Sequence, residues 1–269
     1  MPAEADPVAV DPAMVQITGL EVRYGHGRRA ARVIPSLDLT IRRGTTMGLV
    51  GESGSGKSTL AKVIVGLVAP TAGTVQVDGV NLADGLASGR ARWRKLVQLI
   101  PQDPYSSLDP RMTIGVSIAG AIEPRRADVR RHADAVAYWL ERVSLSPDMM
   151  WRYPHEFSGG QRQRIAVARA LAVQPAFIVA DEITSALDVS VQAEVLALVA
   201  ELRAELDLTM LFISHNLAVV HQVCDDVAVM SRGELVEVAP SSELFLNPRN
   251  AYTMTLLDSV PGSPGFTLG

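Results

Sequence analysis

Gly51-Glu52-Ser53-Gly54-Ser55-Gly56-Lys57-Ser58 sets glycines, a lysine and a hydroxyl in the order G-x-x-x-x-G-K-[ST]. Such glycines let the backbone wrap until successive N–H groups point at phosphate oxygens, and a helix opening near Lys57 adds the partial positive charge of its N-terminus. Lys57 then reaches the β and γ oxygens and the Ser58 hydroxyl is placed to ligate Mg²⁺. Gly51, Ser53, Gly54, Ser55, Gly56, Lys57, Ser58 and Thr59 are therefore candidate contacts of a nucleoside triphosphate. A glycine-rich turn without a ligand is the plain alternative. Against it, the chain has only three lysines, Lys57, Lys62 and Lys95, and one stands at this position. A second candidate is Phe177-Ile178-Val179-Ala180-Asp181-Glu182, an apolar run ending in two carboxylates. In parallel sheets ligands gather at the carboxyl ends of strands, which brings Asp181 to the phosphate loop as a metal ligand and Glu182 to an attacking water as a base.

These residues need a parallel α/β scaffold. Met47-Gly48-Leu49-Val50 reads as a short buried strand running into the loop, and Leu60 to Leu67 continues with helical spacing. Upstream, strand alternation runs from Val15 to Val22 and from Ile34 to Ile41. Residues from about Gly89 to Phe157 change character: they are rich in arginine and carry helical spacing at Val136, Leu140 and Val143, which predicts a mainly helical insert with a solvated basic face. The α/β pattern then resumes with a helix over Gln161 to Val173, the strand Phe177 to Ala180, a helix from Val189 to about Leu206, and strands at Thr209 to Ile213, Val227 to Met230 and Glu234 to Val238. The expected organisation is a flexible tail over 1–14, a nucleotide-binding domain over 15–240 with a helical part at about 89–160, and a C-terminal extension over 241–269. Apolar residues of that extension, Leu244, Phe245, Leu256 and Leu257, are expected to dock on the domain.

Composition narrows the function. Of 269 residues 48% are hydrophobic, enough for a sizeable core, and 25 basic against 29 acidic side chains leave a charge of −4. With only 5% aromatic residues, this argues against a dedicated nucleic-acid binder. One cysteine, Cys224, precludes a disulfide framework within the chain and reads as a small core residue. The longest apolar stretch, Ala166 to Ala180, is interrupted by Arg169, Gln174 and Pro175, and the first residues lack the form of a signal peptide, so an intracellular location is expected.

Phe157-Ser158-Gly159-Gly160-Gln161 directly precedes a helix and makes a second anion cradle, about 100 residues from the first. Two cradles in one chain, together with the Asp-Glu strand end, resemble the ATP-binding subunits of ABC transporters over about Val15 to Leu257. The resemblance implies an α/β P-loop NTPase with a RecA-like core, an antiparallel β subdomain and a helical ABC-specific subdomain. It implies a head-to-tail dimer in which Ser158, Gly159, Gly160 and Gln161 face the nucleotide of the other subunit. It further suggests Tyr24 as the ring stacked on adenine, although a rim aromatic is the plain alternative. Gln102 looks like the glutamine on Mg²⁺ and water, Asp188 the end of a loop crossing to the partner, and His215 the histidine at the γ-phosphate. His26, His132, His155 and His221 match no functional position. Two residues depart from the family pattern: Phe157 stands where leucine is commonest, and Ile183 where proline usually follows the glutamate.

One cassette, no coiled-coil insert and no membrane helices leave a stand-alone cassette serving separate membrane proteins. Segments 102–111 and 153–158 and the tail Asn247-Pro248-Arg249-Asn250-Ala251-Tyr252-Thr253 with Leu256-Leu257 look like the oligopeptide, dipeptide and nickel importer branch. The expected partners are two permease subunits, a second ATPase (a copy or a relative) and, indirectly, an extracellular solute-binding protein, with the chain at the cytoplasmic face of the membrane. ATP and Mg²⁺ are the expected cofactors. Part of the branch carries an iron–sulfur cluster in its C-terminal extension; no cysteine follows Cys224, so none is expected here. The same cassette serving nickel, opine or glutathione uptake is the near alternative, and a soluble ABC ATPase without a membrane partner the distant one.

Overall fold

The computed structural model describes residues 13–25, 31–87, 90–105 and 107–259. Most of the expected N-terminal tail, His26 and the Pro/Gly-rich end from Val260 lie outside these residues.

Two sheets carry the fold. The first is antiparallel: β1 (Ala13–Tyr24) pairs with β2 (Ala31–Ile34), β3 (Leu39–Arg42) and β5 (Ala72–Val77), and β5 with β6 (Val80–Asn81). The second has six strands in the order β11 (Glu234–Pro240), β10 (Asp226–Ser231), β4 (Thr46–Val50), β9 (Thr209–Ile213), β8 (Phe177–Asp181) and β7 (Val97–Ile100). All neighbours in it are parallel except β10 and β11. Every residue of β4 and β9 is buried, as expected for strands covered on both faces. The register sets Leu49 opposite Ile213, and Asp181 opposite the same Ile213, so β4 and β8 end side by side across β9.

The helices follow from local signals. α1 (Lys57–Ile64) starts where the phosphate loop ends; α2 (Leu82–Ala87) and α3 (Ala91–Leu96) lead into β7. α4 (Ile114–Ile122), capped by Thr113, and α5 (Ala133–Arg142) form the helical part with α6 (Gly159–Leu171). α7 (Val189–Leu206) starts at the cap Asp188, and α8 (Leu217–Val223) at Asn216. In the C-terminal segment α9 (Ser241–Leu246) is followed by α10 (Ala251–Asp258). Leu244 is fully buried there, and Phe245, Leu256 and Leu257 pack on the larger core cluster.

Three expectations need correction. The single strand over Ile34 to Ile41 is two strands, β2 and β3. Pro35 has no N–H for a ladder, and the chain turns there so that Leu37 accepts from the Leu20 N–H and Asp38 from the Gly19 N–H. The stretch from Gly89 is not uniformly helical, because Val97–Ile100 forms the edge strand β7 on β8. Four residues are too few for periodicity to separate strand from helix. The helix expected through Leu67 ends at Ile64, with Gly66 at φ +75° beyond it. The basic face of the insert is tied down in part: Arg142 pairs with Glu205, and Arg131 with Glu123 at 3.4 Å.

Candidate functional site

The phosphate loop spans the six residues between β4 and α1. Gly51 takes φ +147°, and a Cβ there would fall 2.0 Å from the Met230 carbonyl oxygen, so the loop seats directly on β10. The Gly233 N–H donates to the Ser55 carbonyl at 2.8 Å from the turn after β10. Lys57 is buried and turned back into the loop, where its ammonium donates to the carbonyls of Gly51 at 2.7 Å and Glu52 at 2.8 Å and to Ser55 Oγ at 3.4 Å. Burial pushes its pKa down, while Glu182, Asp181 and Glu52 support the charge. The Ser58 side of α1 is exposed, and Thr59 is half-buried.

Asp181 ends β8 with its Oδ1 buried and without a hydrogen-bond partner among the described residues. Burial, then the neighbouring Glu182, pushes its pKa up; Lys62 and Lys57 offset this in part. An orphaned carboxylate oxygen next to a phosphate loop fits a hard divalent cation such as Mg²⁺, which takes oxygen ligands.

Glu182 is the next residue and adopts φ +47°, a conformation few residues other than glycine take. Its N–H donates to Ile213 O at 2.9 Å, and its carbonyl accepts from both the N–H and the hydroxyl of Ser185 at 3.0 Å. These bonds hold the strained backbone and aim the carboxylate at two other candidates. Gln102 Nε2 donates to Glu182 Oε2 at 2.8 Å, and His215 Nδ1 stands 3.5 Å from the same oxygen. Gln102 also donates to Ser185 Oγ at 3.3 Å. A cavity of about 80 Å³ opens beside this group, lined by Glu182, Thr184, Ser185, Ser214, His215 and others.

Ser158 caps α6 and forms a reciprocal pair with Gln161: its hydroxyl accepts from the Gln161 N–H at 3.3 Å, and Gln161 Oε1 accepts from the Ser158 N–H at 3.1 Å. Gly160 is fixed by packing, since a Cβ there would lie 2.3 Å from Val191 Cγ1 on α7. Beside Gly159 stand the Tyr105 hydroxyl and Leu187, and the Arg162 guanidinium lies 4.3 Å over the Tyr105 ring. The cradle is therefore joined to segments 102–111 and 185–188 of its own chain; no hydrogen bond links it to the phosphate loop among the described residues. Asp188 accepts from the Val191 N–H at 3.0 Å and from Ser190 Oγ at 2.8 Å, and the Val191 bond holds its carboxyl below the usual range. Tyr24 ends β1 with an exposed ring on the antiparallel sheet. Phe157 and Ile183, the two departures from the pattern, are both buried in the core.

The three described histidines outside the site have structural contacts. His132 pairs with Glu123 at 3.1 Å, His155 stacks on Tyr153, and His221 meets Ser241 and Phe245. Sequence reasoning passed over Ser185 as a partner of Gln102, and Tyr105 and Arg162 as neighbours of the cradle. Ser185 could have been found from its place three residues after Glu182; nothing local marks the other two.

Comparison with known proteins decides the family. The sequence profile described as ABC transporter matches residues 34–185, more than half of the chain. The chain belongs to the ABC transporter family. Among similar proteins, one of Brucella ovis named as a peptide import ATP-binding protein is 44% identical over 249 residues, covering 92% of this chain and 78% of its own length. The glutathione import ATP-binding protein GsiA of Salmonella paratyphi A is 43% identical over 96% of this chain and 43% of its own. Two solved structures agree in fold, each with TM-score 0.74. One is cbiO1 of Clostridium perfringens, part of the ABC transporter complex cbiONQ, at 26% identity, covering 87% of this chain and 91% of that one. The other is the ATP-binding cassette MJ0796, solved as a dimer in a post-hydrolysis state with ADP and Pi, at 27% identity, covering 85% and 99%. The two sheets and the helical part are thus the ABC ATPase fold, and this ABC protein is an ATPase of the P-loop class. No helix among the described residues is long and apolar enough to cross a membrane.

Proposed function

We propose that this ABC ATPase powers the import of short peptides. Two cassettes, two copies or this chain with a relative, close head to tail around ATP. Each nucleotide lies between the Gly51–Thr59 loop of one chain and the Ser158–Gln161 cradle of the other, with Tyr24 against the adenine. Closure drives two separate permease subunits at the cytoplasmic face of the membrane, which receive solute from an extracellular binding protein. The observation that carries this reading is the convergence of Gln102, Ser185 and His215 on Glu182, next to the buried Asp181.

The chemistry follows from that group. Lys57 and the loop N–H groups hold the phosphates in line, and positioning with electrostatic stabilisation supplies most of the rate in phosphoryl transfer. Asp181, Ser58 and Gln102 would hold Mg²⁺, which when bound neutralises charge on the phosphate oxygens. Glu182 takes the proton of the attacking water, and His215, 3.5 Å from the same carboxylate oxygen, is assigned to the γ-phosphate. Gln102 and Tyr105 belong to one exposed segment. A permease pressing on that segment is felt at Glu182 through Gln102 and at Gly159 through Tyr105.

The solute class rests on the peptide-import name of the Brucella relative and on GsiA, whose named solute is itself a tripeptide. The test is a tagged Glu182→Gln chain incubated with Mg-ATP. It is expected to bind ATP, lose hydrolysis and run as a dimer, and to bring permease chains out of detergent-solubilised native membranes. Wild-type hydrolysis by the variant refutes the role of Glu182. Recovery of soluble proteins only, with intact permeases in the lysate, refutes the importer reading.

A further inference from the structure

The tail segment Asn247–Thr253 has no part in the mechanism above, yet it reaches the phosphate loop. The Glu52 N–H donates to Tyr252 Oη at 3.1 Å, across 200 residues of sequence. That N–H belongs to the peptide unit whose carbonyl, on Gly51, accepts from Lys57 Nζ at 2.7 Å. One peptide plane is therefore held at both ends, by the lysine on one side and the tyrosine on the other. A flip of that plane would withdraw the carbonyl from Lys57.

The tyrosine is itself firmly placed. Glu237 of β11 accepts from the N–H groups of Arg249 at 2.8 Å and Asn250 at 3.0 Å. Burial pushes the Glu237 pKa up, but the neighbouring donors, the Arg249 and Asn250 N–H groups among them, outweigh it and leave the carboxyl below its usual range. Asn250 donates to Val236 O at 3.3 Å and caps α10 by accepting from the Tyr252 N–H at 2.8 Å. The Tyr252 ring is half-buried against the larger core, so its hydroxyl arrives at the loop on a supported side chain.

We infer that Tyr252 is a positioning residue for ATP binding: its hydroxyl fixes the Gly51–Glu52 peptide, whose carbonyl in turn holds the Lys57 ammonium inside the phosphate loop. This rests on the nucleotide reading of the loop given above. Tyr252→Phe keeps the ring and removes only the bond. Loss of one such hydrogen bond corresponds to about a two- to twelve-fold change in affinity.

The experiment titrates the full-length wild type and Tyr252→Phe with Mg-ATP, alongside thermal melting without nucleotide and steady-state hydrolysis. The expected result is a Kd and KM for ATP raised by up to that factor, with the melting midpoint lowered by no more than about 2–6 °C, which is what one lost hydrogen bond costs the nucleotide-free fold. Equal Kd values overturn the inference while leaving the nucleotide reading intact. A melting midpoint lowered by more than that overturns it too, because Tyr252 would then be a packing residue whose loss loosens the whole tail. A wild-type chain that binds no Mg-ATP sinks the nucleotide reading, and this inference with it.

Discussion

Gly160→Ala is expected to destabilise the chain through a single contact with Val191. A Cβ at Gly160 falls 2.3 Å from Val191 Cγ1, with Val191 Cβ at 3.6 Å and Cγ2 at 3.8 Å, so one methyl carries the clash. Valine in a helix is confined to one χ1 rotamer, and α7 is anchored just ahead of it by the Asp188 cap. The overlap must therefore be relieved by an off-rotamer valine or by separation of α6 from α7, at about 1–3 kcal/mol. Replacing glycine with alanine inside a helix returns about 0.5–1 kcal/mol. The net loss is then roughly 0–2.5 kcal/mol, which for a chain of this size lowers the melting midpoint by about 2–4 °C per kcal/mol. A double-mutant cycle with Val191→Ala isolates the contact, since the helix-propensity gain is common to both backgrounds and cancels. The assay is thermal or urea unfolding of the four proteins, and the expected coupling is about 1–3 kcal/mol. A coupling under about 0.5 kcal/mol would show that Gly160 is not required for packing on α7. ATP hydrolysis by the double mutant then separates two reasons for the glycine: restored stability with hydrolysis still lost assigns it to the nucleotide cradle as well.

Two further perturbations test the framework around the site. Burial, with Asp225 adding to it, pushes the Cys224 thiol up to about 12 from an ordinary value of 9.0. The unfolded chain releases this proton first, so the contribution of the thiol is fully present below pH 9 and is lost at about 1.4 kcal/mol per pH unit from there toward 12. Wild type should therefore lose stability relative to Cys224→Ala as unfolding is followed above pH 9, and parallel curves would refute the burial argument. Asp188→Ala should cost about 1 kcal/mol by removing the cap of α7, and Asp188→Asn should cost little of it, since asparagine caps as well. If both variants unfold alike but only the alanine loses dimer formation with ATP, capping is not what Asp188 contributes.

Legibility in the sequence follows the range of the interactions. The phosphate loop and the Asp181-Glu182 pair were readable because each is one short segment whose chemistry is set by neighbours in sequence. Strands β4, β8 and β9 were readable because strands buried on both faces are continuous apolar runs. β7 and β6 have four and two residues, and α8 seven, too short for a period to declare itself. The six-residue β5 opens on three exposed residues, Ala-Gly-Thr, and buries only Val75 and Val77. Gln102 was assigned from family resemblance alone. Its bond to Glu182 spans 80 residues and depends on β7 pairing with β8, which no local signal encodes.

The same pairing explains why the site tolerates its strain. Ile100, two residues before Gln102, lies opposite Ala180, two before Glu182, so parallel register carries both side chains to one level beyond the sheet. A left-handed Glu182 costs on the order of 1–3 kcal/mol. That conformation persists because β9 supplies Ile213 O to its N–H while Ser185 binds its carbonyl twice. Relaxing Glu182 to an ordinary extended conformation would break three hydrogen bonds and turn the carboxylate away from Gln102 and His215. The backbone that fixes the carboxylate is thus the backbone that the sheet register has already aligned with the glutamine.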